Sequence, residues 1–318
     1  MRAPMRPSAG EDRQVDGVRS GTVDAIPRWR QLQRWRCSVA AGLVLLAGCA
    51  LRPVPQLSSI DASFSECRQF FPARTPPVVP RAPALRELCY SAFAVLHSGE
   101  SKTPVFVVEH LDRAMIDAAR GQKRSDNFFT DARLPVGERA ELSDYRGSGY
   151  SRGHMAPAGD MSTPDAMAQS FSLANMVPQD QIFNGGAWSE IEQQTRQYVQ
   201  QAQADVYVFT GPVFAADAPT IGLGKVQVPS HLFKLVYDPC SGKSWAHWLA
   251  NAPDTQALPP ISYDELVRRT RISFLPPGAS ADRPELQPRT GASAAAPADH
   301  GCGSRSSVHR PPSLPPGP

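Results

Sequence analysis

An α+β fold is what this 318-residue sequence predicts, on three observations: a pair of short β-prone runs before residue 110, one helical pattern near residue 190, and further β-prone runs after it. Strands on both sides of a central helix mark that class. Residues 90–96 and 104–109 are the first pair, and the intervening Ser98-Gly99-Glu100-Ser101 makes them a hairpin. A polar, irregular stretch over 117–149 follows, holding Arg124, Phe128 and Asp131 and closed by the turn Gly147-Ser148-Gly149. Loops of such length are functional or disordered. Residues 165–172 form a short helix, opened by Thr163 as N-cap and Pro164 in the first turn. A longer helix begins near Gly186, where Trp188, Ile191 and Val199 recur at helical spacing among Glu and Gln, and the polar run 200–203 ends it. Residues 206–214 then read as a buried-type strand with a break. Residues 232–237 and 244–249 form a hairpin around 238–243. No internal repeat is present.

The length suffices for one large domain or two small ones. The 33 Lys and Arg against 30 Asp and Glu leave a net charge of only +3, too little to bind a polyanion by bulk electrostatics, so any such site is local. Proline is abundant at 32 and gathers between Pro53 and Pro83 and beyond Pro253, which places the compact part in the middle of the chain. The expected organisation is a signal region over 1–48, a proline-rich linker over 49–84, a domain over 85–275 and a disordered tail over 276–318.

The signal region carries Arg28, Arg30, Arg34 and Arg36, then an apolar run over 39–47. That run is far short of the roughly 20 residues that span a bilayer. Leu46-Ala47-Gly48-Cys49 resembles the bacterial lipobox, whose cysteine is lipidated and becomes the mature N-terminus. Cys49 is therefore the expected lipidation site, and the protein is expected on the periplasmic side of a bacterial cell envelope or secreted. Ala50 in place of Asp favours the outer membrane. The polar stretch ahead of Arg28 is longer than a normal n-region, which leaves the true start codon open. With Cys37 removed and Cys49 lipidated, Cys67, Cys89, Cys240 and Cys302 remain in a compartment that permits disulfides. Cys67 and Cys89 flank a proline-rich loop, and closing it would stabilise by about 3 kcal/mol in the chain-entropy account. They are the favoured pair, and the pairing of Cys240 and Cys302 stays open.

The window over 150–161 carries the chemistry. His154 lies between Gly153 and Pro157, in constrained backbone where its ring can be aimed. Alone, Arg152-Gly153-His154 is a weak signal, since an isolated histidine is more often packed or solvated. Its weight comes from Asn175-Met176-Val177-Pro178-Gln179, then Asn184-Gly185-Gly186-Ala187-Trp188, then Glu192. Together these windows resemble the DNA/RNA non-specific endonuclease family, which includes the secreted Serratia-type nuclease and mitochondrial endonuclease G. Its central run is Asp-Arg-Gly-His, followed by Asn-x-x-Pro-Gln and Asn-x-x-x-Trp-x-x-x-Glu. The likeness spans about residues 89–275 and includes Arg124 to Phe128 with Asp131 upstream, and Val228-Pro229 with Lys234 downstream.

The resemblance implies a ββα-metal nuclease fold, with a central antiparallel sheet flanked by helices. It implies His154 as general base, Asn184 as the direct ligand of Mg²⁺ with Mn²⁺ as the alternative ion, and Glu192 near the metal-bound waters. Arg124 and Asn175 match groups near the phosphate and the active-site network, and Arg152 is expected to bind substrate. DNA and RNA are the implied substrates, cut to leave a 5′-phosphate; a homodimer is a candidate assembly, and the oligomeric state stays open. One position departs from the pattern: Ser151 stands where the family run opens with Asp.

Structural readings compete at each position. Asn184 could cap the helix that begins near Gly186, Asn175 could bond its own loop, and Glu192 could be a solvated helix charge. Glu192 lies two helical turns past Asn184 and one past Trp188, so the three can share a broad face, which favours the chemical reading of the set. Trp188 is core packing, and His110, His231 and His247 have no assigned role. Against the nuclease stand a catalytically weak envelope DNA-binding, or capture, lipoprotein, a purely structural lipoprotein, and a metal phosphodiesterase for a small or lipid substrate. Binding alone needs only positive charge and stacking groups, not His154, Asn184 and Glu192 together.

Overall fold

A computed structural model describes residues 59–279. The signal region, Cys49, Cys302 and the tail beyond residue 279 lie outside the described residues. In chain order the elements are β1 (Ser59–Asp61), β2 (Val78–Pro80), β3 (Leu85–Cys89), β4 (Phe93–Ser98), β5 (Thr103–Leu111), α1 (Arg113–Ala119), α2 (Leu142–Tyr145), β6 (Ser151–His154), α3 (Pro164–Ser170), β7 (Met176–Gln179), α4 (Gln181–Phe183), α5 (Ser189–Gln201), β8 (Val206–Val213), β9 (Thr220–Ile221), β10 (Val226–Gln227), β11 (His231–Asp238), β12 (Lys243–Ala250) and α6 (Tyr263–Thr270).

Six strands form one antiparallel sheet in the order β12-β11-β8-β5-β4-β3. β5 and β8 are neighbours in it although residues 112–205 separate them in sequence. Every element of the candidate site below, β6 to α5, belongs to that single excursion. The sheet is covered on both faces. On one, Val95, Val107, Leu232 and Leu249 pack with Phe171, Phe183, Trp188 and Ile191. On the other, Leu96, Phe106, Phe209 and Leu235 pack with Phe64, Phe71, Leu266 and Phe274. Double coverage explains why β4 and β11 read as continuous apolar runs instead of alternating ones.

The α+β class and the central antiparallel sheet are as expected, with differences in detail. The hairpin strands run Phe93–Ser98 and Thr103–Leu111, because Tyr90 N–H closes a turn onto Phe93 O. The segment over 49–84, expected as a linker, is packed where it is described beyond residue 61. Phe64, Phe70, Phe71 and Val79 are buried, since the sheet's second face would otherwise be left to water. Cys67 and Cys89 form the expected disulfide, with Cα atoms 5.8 Å apart, tying this segment to edge strand β3. The helix α6 was not anticipated. Its signature, Ser262 accepting the Glu265 N–H, is a serine N-cap, and its amphipathic turn closes the second core through Leu266. Among the described residues no helix is long and apolar enough to cross a membrane.

Candidate active site

The antiparallel pair β6–β7 sets Ser151 opposite Gln179 and His154 opposite Met176. Gly153 is required at its place, because a Cβ there would lie 2.6 Å from Gln179 Cβ. Past His154 the strand end is braced by Asn175. Its Nδ2 donates to Ala156 O at 2.9 Å and Ser170 O at 2.8 Å, its Oδ1 accepts the Ala156 N–H at 2.9 Å, and its carbonyl accepts the Met155 N–H at 3.0 Å. Both amide donors and the side-chain oxygen are engaged in a fully buried position. The geometry therefore makes Asn175 a brace for the His154 strand end, and not a group turned toward a phosphate.

The His154 imidazole lies between two phenyl rings, Phe171 edge-on at 4.9 Å and Phe128 tilted at 5.8 Å. Its Nε2 is buried and has no hydrogen-bond partner among the described residues. Burial, reinforced by the charges of Arg124 and Arg152 and opposed by Asp126, pulls its pKa down to about 3. The ring is neutral at physiological pH. The same two phenyl rings also carry the arginines: Arg124 sits 5.0 Å over Phe171 and Arg152 sits 3.9 Å over Phe128. Arg124 Nε also donates to Asp126 at 2.6 Å. Asp131 is structural, buried beneath Tyr90 and Arg133, whose side chains donate to it at 2.5 and 2.6 Å.

Asn184 is not the helix cap. A short helix, α4, begins at Gln181 ahead of the long one, and Asp180 caps it by accepting the Ile182 and Phe183 N–H groups at 2.9 Å each. Between α4 and α5 the backbone widens into a π-turn over Asn184–Trp188, with Gly186 at φ −103° and ψ −110°. Such turns recur at functional sites. The Asn184 side chain has no hydrogen-bond partner among the described residues and lines a cleft of about 600 Å³. That cleft is also lined by Arg124, Arg146, Arg152 and Ser151, with Asp126 the one carboxylate among its lining residues. The positive charge that bulk composition denied is thus concentrated locally.

Glu192 lies on α5, half-buried. Burial pushes its carboxyl up to about 7, with Asp160 adding to the shift and Lys234 and Arg196 opposing it. Behind it lie charged groups that sequence reasoning did not single out. Arg196 pairs with buried Asp160 at 2.9 Å. Lys234, named only for its motif, is 1% exposed, donates to Thr210 Oγ1 at 2.8 Å and sits 5.4 Å over the Trp188 ring. Glu109 is buried on β5 and its pKa is raised well above the usual carboxylate range, mainly by burial. Arg196 follows Glu192 by one helical turn, a spacing that could have drawn notice. Glu109 reads in sequence only as a polar residue at a strand end. No group of three or more His, Cys, Asp or Glu able to hold a metal ion occurs among the described residues. An unengaged amide oxygen on Asn184 still fits Mg²⁺, which keeps most of its waters and accepts one or two protein oxygens.

A histidine at a strand end, a two-stranded antiparallel pair and a following helix that presents an amide form the ββα-metal nuclease arrangement. The fold agrees with a solved structure of an EndoG/EndoGI complex, at TM-score 0.55 and 23% identity over 68% of this chain and 93% of that one. Residues 76–278 match the model of the DNA/RNA non-specific endonuclease family, and the chain belongs to that family. It is 36% identical over 161 residues to mitochondrial nuclease EXOG of Xenopus laevis, covering 46% of this chain and 44% of that protein. Against mitochondrial endonuclease G of Homo sapiens it is 31% identical over 203 residues, 58% of this chain and 68% of that protein. The chain thus spans less than half the length of the EXOG relative.

Proposed function

We propose that this chain is an endonuclease that hydrolyses phosphodiester bonds of DNA and RNA without regard to sugar and with the help of Mg²⁺. One observation carries the reading: a neutral imidazole with an unpartnered Nε2 stands among arginines that line a cleft beside the unengaged Asn184 amide.

Arg124 and Arg152 offer planar forks to the phosphate oxygens and stabilise the charge that spreads over them in the transition state. His154 takes a proton from the attacking water at Nε2. Its basicity is low in the free protein partly because both arginines face it. A bound phosphate offsets their charge, so substrate itself raises the base toward a useful range. Asn184 Oδ1 would hold the cation, and Glu192 would accept hydrogen bonds from its waters. When bound, the ion supplies charge stabilisation at the leaving oxygen. Asn175 acts through the backbone at Met155 and Ala156, which keeps His154 in place. Ser151, where the family run has Asp, leaves the strand ladder with Gln179 intact.

The test is digestion of plasmid and RNA by the purified chain in Mg²⁺ or EDTA, beside His154→Ala and Asn184→Ala. Magnesium-dependent cutting lost in both variants supports the reading. A wild type that binds DNA and cuts nothing overturns it in favour of the capture lipoprotein. Lipidation at Cys49, holding the enzyme at the periplasmic side of the envelope, belongs to the same proposal and rests on residues 46–49.

A further inference from the structure

Three arginines line the cleft, and two are already committed. Arg124 is tied to Asp126 and lies over Phe171, and Arg152 lies over Phe128. Both share the aromatic frame of His154. Arg146 comes from a different element, the C-terminal end of α2, and has no hydrogen bond, ion pair or ring contact among the described residues.

Its anchorage is nevertheless firm. Glu141 and Asp144 cap α2 reciprocally, with the Glu141 N–H donating to Asp144 Oδ2 at 2.9 Å. Asp144 is buried and its Oδ1 accepts the Gly224 N–H at 2.7 Å from the β9–β10 turn. A Cβ at Gly224 would sit 2.8 Å from Asp144 Cγ, so the turn closes directly onto α2. The Tyr145 carbonyl accepts both the N–H and the hydroxyl of Ser148, at 3.2 and 2.9 Å. The backbone on either side of Arg146 is held while its guanidinium is free.

Arg146 is exposed with no protein anion paired to it, so its charge is open to an incoming polyanion. The cleft is also larger than one diester needs: about 600 Å³ is the size that takes a whole organic ligand. Leu142, 40% exposed one turn before Arg146, adds apolar surface to the same wall, suited to a sugar or base. We propose that Arg146 holds a second phosphate of the bound strand, flanking the scissile one, so that the cleft is a subsite for at least two successive nucleotides. The inference rests on the nuclease reading and extends it to the substrate's length.

The experiment measures binding of labelled single-stranded and duplex oligonucleotides to the whole chain in EDTA over a range of salt, for wild type, Arg146→Gln and Arg146→Lys. Arg146→Gln weakens binding and lowers the slope of log K against log salt by about 0.9 on duplex and about 0.7 on single strands. Arg146→Lys keeps the slope. In Mg²⁺, Arg146→Gln raises KM for DNA more than it lowers kcat, and costs less on a small model diester than on an oligonucleotide. An unchanged salt slope, or equal losses on model diester and oligonucleotide, overturns the proposal. A wild type that binds and never cuts sinks the nuclease reading instead, and the binding slopes still decide the role of Arg146.

Discussion

The Phe171 ring meets His154 edge-on, with 4.9 Å between centroids and 85° between planes, and carries the Arg124 guanidinium 5.0 Å from its own centroid. One fully buried side chain therefore keeps water from the His154 ring and positions the Arg124 guanidinium. Phe171→Leu should let water reach the imidazole and raise the His154 pKa from about 3 toward the ordinary value near 6.5. The shift is read by NMR titration of its ring proton. Activity should fall by up to about 10²-fold through misplacement, and stability by about 1–2 kcal/mol. A His154 titration that does not move would sink this account of the site.

Of the two competing readings of Asn184 in sequence, the capping role falls to Asp180. Asp180→Ala should destabilise by about 1 kcal/mol, the usual cost of a lost N-cap, seen as a lowered Tm. Asn184→Ala should stay within about 0.5 kcal/mol of wild type, as surface changes do, yet abolish magnesium-dependent cutting. If the stability losses fall the other way round, Asn184 is the structural residue.

On the proposed reading, Glu192 should make cation affinity depend on pH. Its carboxyl is raised to about 7 in the folded protein, chiefly by burial, so it is largely protonated at pH 6 and ionised at pH 8. A proton bound there weakens the hold on hydrated Mg²⁺, and binding should release it. Calorimetry at pH 6 and 8 should find tighter Mg²⁺ binding at the higher pH, with the difference abolished in Glu192→Gln. Equal affinities at the two pH values would remove Glu192 from the ion's surroundings.

The Cys67–Cys89 bond ties a buried segment to an edge strand across 22 residues. Cys67→Ser with Cys89→Ser should lose about 3 kcal/mol, measured by urea unfolding beside the wild type. Full stability in the variant would mean that packing of Phe64 and Phe71 alone holds the segment.

Lipidation has a direct readout. Cells fed a palmitate analogue should label the wild-type chain and fail to label Cys49→Ala. Persistent labelling of the variant would place the anchor elsewhere.

Much of the fold was legible because strands buried on two faces are continuous apolar runs. The stretches at β8 and β11 are such runs, and local turn chemistry at Asp238-Pro239 and Ser241-Gly242 bounds the hairpin that β11 makes with edge strand β12. The short helix α4 ahead of the long one was missed because Gly185-Gly186 looks like a boundary. Asp180, which caps the helix, gains its role only from the turn that β7 makes before it. The packing of residues 64–79 was hidden by their prolines, since sequence composition does not reveal that a sheet has a second face to cover. In the site, motif spacing brought His154, Asn184, Glu192, Arg124 and Arg152 into view. Arg146 and the buried set of Glu109, Asp160 and Arg196 escaped it, for their meaning lies in neighbours far along the chain.

By itself the sequence determined the family, the α+β class and the residue types available for phosphodiester chemistry, because these depend on local pattern and motif order. Only the tertiary structure decided which asparagine is a brace and which is free: Asn175 spends every side-chain hydrogen bond on Ala156 and Ser170, whereas Asn184 sits in a π-turn with none. It also decided the protonation of His154, since a depressed pKa comes from two phenyl rings and two arginines converging on one imidazole. Desolvation and charge act through space, and proximity in space is what folding supplies.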